Sequence, residues 1–146
     1  MVDPVAMPAG ILPYGAPLSL SQAKAVMVAA EAEAVKEGWP MVIAIVDSGA
    51  NLLLFQRMDQ AQLGSIDVAR QKAETALRFR RETKQFQDLV GSGGVHLRML
   101  GMTNLVPMEG GIPLIVGGHI VGAIGVSGMQ SGQDAQVAHA GQAALA

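Results

Sequence analysis

Cysteine is absent from the 146-residue sequence, so neither disulfides nor thiolate chemistry enters the account, and the redox compartment is left unmarked. Aromatic residues amount to 3%, too few for a base-stacking platform, and the formal net charge of −2 leaves no surplus of Lys and Arg to face phosphates. Nucleic acid is not an expected partner. No stretch reaches the roughly 20 apolar residues of a membrane span, and the opening MVDPVAMPAGILPYGAPL lacks the basic start and continuous apolar run of a secretion signal. The expectation is a cytoplasmic protein without membrane contact. Charged residues are scarce as well, at 15%, while half of the chain is apolar. That balance excludes a disordered tail and leaves few charges to cover a surface, which points to a homo-oligomer with surface buried between subunits.

With so few aromatics, the core has to come from Ala, Val, Ile, Leu and the nine Met, side chains that suit close approach of elements. The stretch that organises the chain is EGGIPLIVGGHIVGAIGVSGMQSGQ, from Glu109 to Gln133. Ile112 to Val116 and His119 to Val126 read as strands joined by Gly117-Gly118, a two-residue loop able to take the positive φ angles of a primed hairpin turn. Glycines punctuating these strands imply that another element or a ligand comes close to the backbone. GAIGVSG lies within a strand and not between a strand and a crossover helix, so it is not a dinucleotide loop.

Residues 1–17, with four prolines, read as an extended arm that wraps a neighbour; residues 18–146 read as one domain. Ser19 and Gln22 form a capping box for a helix whose Ala23, Val26, Met27, Ala30 and Ala34 share a stripe, and Gly38 and Pro40 stop it. Met41 to Val46 and Asn51 to Arg57 are strands around a turn at Asp47 to Asn51. Ser65 is expected to cap a second helix with Ile66, Ala69, Ala73, Ala76 and Leu77 buried, and Thr83 a short one with Phe86, Leu89 and Val90 inward. Leu105 and Val106 suggest a further short strand, and Ser131 with Asp134 opens a last helix. Hairpins alternating with helices give an α+β sandwich, one sheet covered by helices.

The runs SLSQAKAVMVAAEAEA, VDSGANLLLFQRMD, GSIDVARQKAETALRFRRETKQF and LVPMEGGIPLIVGGHIVGAIGVSGMQSGQD together resemble the GlcG/HbpS family, also known as the haem-degrading or PduO C-terminal domain family. The resemblance spans about residues 18–146. It implies a profilin-like fold with an antiparallel sheet of about five strands, and homo-oligomers built from dimers up to octamers. It also implies haem, corrinoid or iron-linked roles, or an accessory place in catabolic operons for glycolate, diols and aromatic acids. Haem-binding relatives of the PduO type carry a histidine on the first helix; the first helix here has none.

Arg57, Met58 and Asp59 match the family's RMD motif at a strand end, where Arg57 is suited to a bidentate carboxylate contact. An internal pair of Arg57 with Asp59 or Asp67 is the plainer alternative. Lys72 and Phe79, two turns apart on one helix, would give charge and an apolar wall to a ligand, or else lie at the surface and in the core. Glu109-Gly110-Gly111 matches the EGG motif, with room for a planar ligand or a turn requiring positive φ. Of three histidines, His119 reads as an exposed hairpin residue and His139 as surface or interface, leaving His96 as the candidate imidazole, either axial ligand to haem iron or general base. Their spacing matches no compact metal motif. The six cations Arg70, Lys72, Arg78, Arg80, Arg81 and Lys84 form a solvated helix face or an anion-facing edge.

Two functions stay open at this point. One is a protein binding haem or a related tetrapyrrole through Arg57, Asp59, Lys72, Phe79, His96, Gly110 and Gly111. The other is a small cofactor-independent enzyme that holds an organic acid with Arg57 and uses Glu109 or His96 as base.

Overall fold

The computed structural model describes residues 2–145. Strands β1 (Val42–Asp47), β2 (Leu52–Arg57), β3 (Gly111–Val116) and β4 (His119–Ser127) form one antiparallel sheet in the order β2-β1-β4-β3. Helices α1 (Leu20–Glu37) and α4 (Ser131–Ala143) cover one face; α2 (Ser65–Phe79) covers the other, with α3 (Thr83–Ser92) following it. The α+β architecture expected from the sequence is present, with four strands in place of about five. Leu105 and Val106 add no strand, because the Val106 N–H is taken by the Thr75 hydroxyl at 3.1 Å and not by a ladder.

Burial on both faces explains the continuous apolar run of β1. Ile43 and Ile45 point into the core shared with α1 and α4, while Val42, Ala44 and Val46 point toward α2. The α2 side is lined by Ala69, Ala73 and Ala76, so helix and sheet lie close. At Gly125 a Cβ would run into the Ala69 carbonyl and the Ala73 backbone, which identifies α2 as the element that the glycine-punctuated strand accommodates. The β3–β4 turn has Gly117 at φ 58° and Gly118 at φ 77°, as the primed hairpin requires.

Ser19 caps α1 as expected, its hydroxyl accepting from the Gln22 N–H at 3.1 Å while Gln22 reaches back to the Ser19 N–H at 3.0 Å. The other three expected caps are displaced. Gly64, Glu82 and Gln130 occupy the cap positions, and at α4 the Gln133 side chain reaches back to accept from the Gln130 N–H at 3.1 Å. Ser65 and Thr83 are buried and latch elements together: the Ser127 hydroxyl donates to that of Ser65 at 3.0 Å, and Thr83 Oγ1 accepts from the Gly111 N–H at 2.8 Å.

Near the N-terminus, Pro13 to Leu18 lie along β4 of the same chain. Ile120 N–H donates to the Pro13 carbonyl at 2.8 Å, Gly15 N–H to Ile120 at 2.9 Å and Leu18 N–H to Val121 at 2.9 Å. Tyr14 ties this segment to the end of α2, its hydroxyl donating to the Leu77 carbonyl at 2.7 Å.

Candidate functional site

The residues singled out from the sequence fall into four places. Lys72, Gly110 and Gly111 come together under α2. The Lys72 side chain is fully buried, and its ammonium donates to Asp134 Oδ2 and to the Val126 carbonyl, both at 2.9 Å. Asp134 Oδ1 accepts from the Met129 N–H at 2.9 Å. Burial pulls the Lys72 ammonium below the ordinary lysine value, against the upward pull of Asp134, and burial raises Asp134 above the ordinary carboxylate value, against the downward pull of Lys72. Gly110 has φ 130°, and a Cβ there would lie 2.9 Å from Lys72 Nζ and 2.7 Å from the Val126 carbonyl oxygen. A Cβ at Gly111 would strike the Lys72 carbonyl. Here the EGG motif makes room for the ion pair. Glu109 is half-buried beside it, its N–H donating to Gln87 Oε1 at 2.8 Å.

Arg57 and Asp59 sit elsewhere, in an open cleft of ≈ 570 Å³ between the end of α1 and the end of β2. Val35, Trp39 and Met58 give it apolar lining, and Glu31 joins Asp59 as a carboxylate there. Among the described residues Arg57 forms no ion pair, so the internal pairing with Asp59 or Asp67 is not made. Gly38, in the left-handed conformation at φ 75°, ends α1 and turns the chain so that Trp39 and Pro40 form part of this wall. Trp39 was not singled out from the sequence; its position as the only tryptophan, just after a helix stop, was the available signal.

Phe79 lies at the end of α2, edge-on to Phe86 with ring centroids 5.4 Å apart, and lines a separate cavity with Arg80 and Arg81. His96 belongs to a run of 3₁₀ turns, Gly94–Gly101, that rests on α3. Its Nδ1 is buried without a hydrogen-bond partner among the described residues. His119 and His139 are exposed, and no three His, Asp or Glu side chains converge on a metal-sized point among the described residues.

Arg57 and Glu109 do not share a site within one chain. Arg57 aligns with Val42 and Val42 with Ser127, whereas Glu109 leads into β3 on the opposite edge, three strand spacings or roughly 14 Å away.

The sequence profile described as haem degrading protein HbpS-like matches residues 18–143, nearly all of the sheet and helices just described. The chain belongs to the HbpS-like family. Protein GlcG of Escherichia coli strain K12 is 41% identical to it over 110 residues, covering 75% of this chain and 81% of GlcG. An HbpS double mutant from Streptomyces reticuli superposes with a TM-score of 0.80 at 32% identity, over 100% of this chain and 99% of that one. The crystal structure of a PduOC:heme complex superposes with a TM-score of 0.80 at 30% identity, over 88% of this chain and 94% of that one. Against these HbpS-like relatives, the fold expected from the sequence holds. No helix in the described residues is long and apolar enough to cross a membrane.

Proposed function

We propose that this HbpS-like protein binds haem or a closely related tetrapyrrole in the cleft between α1 and β2. The observation that carries this reading is the cleft itself: ≈ 570 Å³ with Trp39 and Val35 in its wall and the Arg57 guanidinium at its edge without a carboxylate partner. That size suits a small organic ligand. A planar macrocycle has apolar faces for Trp39 and Val35, and its propionates match the planar fork of Arg57. The relative crystallised as a PduOC:heme complex supports the choice of ligand class.

Met58 offers the soft donor to iron among the cleft residues, and no histidine lines it. Bound haem would supply a redox-active iron centre. Lys72 takes no part in this site, since it is fully buried away from the cleft, its ammonium held by Asp134 and the Val126 carbonyl. His96, on the 3₁₀ run beyond α3, takes no part within the same chain. The acid/base alternative needs Arg57 beside Glu109 or His96, an arrangement the single chain does not make.

Self-association completes the reading. Leu52 and Phe55 are exposed on the edge strand β2, and Val95, Leu97 and Leu100 on the 3₁₀ run, apolar surface of the kind that subunits cover.

The test is a haemin titration followed by the Soret band. Wild type should saturate at one haem per chain, and Arg57→Ala should bind about tenfold or more weakly, as loss of a charge-assisted pair predicts. An unsaturable response in wild type, or equal affinity in Arg57→Ala, would overturn the proposal.

A further inference from the structure

The cations between positions 70 and 84 take three different roles in the fold. Lys72 is buried. Arg70 pairs with Asp67 at 3.6 Å and Glu74 at 3.7 Å, Arg78 with Glu74 at 3.3 Å, and Lys84 with Asp88 at 2.9 Å. Arg80 and Arg81 form no ion pair among the described residues; an aromatic ring holds each of them.

Arg80 ends α2 in the left-handed conformation, φ 56°, with its N–H on the Ala76 carbonyl. Its guanidinium lies over the Tyr14 ring, 4.6 Å from the centroid, and that of Arg81 lies 5.3 Å from the centroid of Phe86. Tyr14 is itself fixed by its bonds to the Leu77 and Arg78 carbonyls, and Arg81 Nε donates to the Phe79 carbonyl at 3.0 Å. A cation–π contact holds a guanidinium over a ring without spending its N–H donors. Arg81 thus keeps four donors, and the contact recorded for Arg80 is the weak acceptor Met7 Sδ at 3.6 Å. Both arginines line one cavity of ≈ 530 Å³, together with Arg78, Gln85, Phe79 and Ile11, and among the described residues no carboxylate lines it.

We propose that this cavity is a second binding site, for a small organic anion with two oxyanion groups, phosphate or carboxylate, that the in-plane donors of Arg80 and Arg81 hold between them. The planar fork matches either group, and prior fixing of the side chains reduces the ordering cost of binding. Gln85 adds an amide, and Phe79 and Ile11 give an apolar wall to the body of the ligand. Gly10 and Ile11 belong to the N-terminal segment, so an occupied site also ties that segment to α2. The site has no lining residue in common with the α1–β2 cleft and stands apart from the tetrapyrrole reading.

Calorimetric titration of the full chain with pyrophosphate and, separately, with citrate tests the proposal at low salt. One site per chain is expected for at least one probe, with affinity lowered about tenfold or more in Arg80→Ala and in Arg81→Ala. Stronger binding of pyrophosphate assigns a phosphate ligand, and stronger binding of citrate a carboxylate. Arg80→Lys and Arg81→Lys, which keep the charge and lose the fork, should also bind more weakly. Arg57→Ala should bind as wild type does, and the bound probe should slow amide exchange over residues 7–14. No saturable heat with either probe, or unchanged binding in both alanine variants, would overturn the proposal. Haemin titration of the same variants should match wild type, so failure here leaves the cleft reading to its own test.

Discussion

Lys72 carries a charge in a place with no solvent to share it, and the ammonium is met only by Asp134 and one main-chain carbonyl. Removing either partner strands the other, so Lys72→Met should destabilise the fold by about 3–5 kcal/mol, and Lys72→Met combined with Asp134→Leu should recover much of that loss. The pH dependence has a definite sign. A carboxylate with a raised pKa, as Asp134 has, contributes fully below its ordinary value of 3.8 and loses that contribution as pH rises through the raised value. Lys72, with its pKa lowered, contributes fully above 10.5 and loses that contribution as pH falls through the lowered value. In Lys72→Met only the carboxylate remains, so its deficit against wild type in urea unfolding should narrow as pH falls from neutrality toward the ordinary carboxylate value of 3.8; a deficit that stays constant over that whole range would contradict the assignment. The family motif drew attention to Lys72, but nothing local pointed to its partner. Asp134 stands three residues after Ser131, a spacing that reads as helix-start chemistry, and a contact across 62 residues leaves no trace in one sequence.

At the scale of elements, α2 and β4 determine one another. The helix offers Ala69, Ala73 and Ala76, and the strand answers with Gly125 and Ala123, so their backbones nearly touch. Gly125→Ala should cost about 1–3 kcal/mol or more, read as a lower urea midpoint with circular dichroism unchanged before the transition. A midpoint equal to wild type would mean that helix and strand are less tightly apposed. Thr83 makes a second link: its hydroxyl satisfies the buried Gly111 N–H, and Thr83→Val should cost about 1–3 kcal/mol while preserving shape. Strand and helix identities were legible because β1 is an unbroken apolar run and α2 has a clear stripe. The roles of Ser65 and Thr83 were not, since a hydroxyl at a helix start looks the same whether it caps its own helix or bonds to another element.

For the whole molecule, the sheet order decides which candidate residues can cooperate. Arg57 and Glu109 lie on opposite edges, and His96 lies beyond α3, so the motifs legible in the sequence do not converge on one centre in a single chain. Sequence spacing carries no information about which edge a strand occupies, and the cleft at Arg57 became visible only once α1 and β2 were placed beside each other. There the only tryptophan of the chain borders the proposed tetrapyrrole site. The most direct measurement is therefore Trp39 fluorescence during haemin addition, recorded together with the Soret band. The account predicts that emission falls in step with Soret saturation, with one equivalent of haemin giving nearly complete quenching in wild type and a curve displaced to higher haemin in Arg57→Ala. Soret saturation at one equivalent with Trp39 emission largely retained would place the tetrapyrrole away from this cleft and contradict the account.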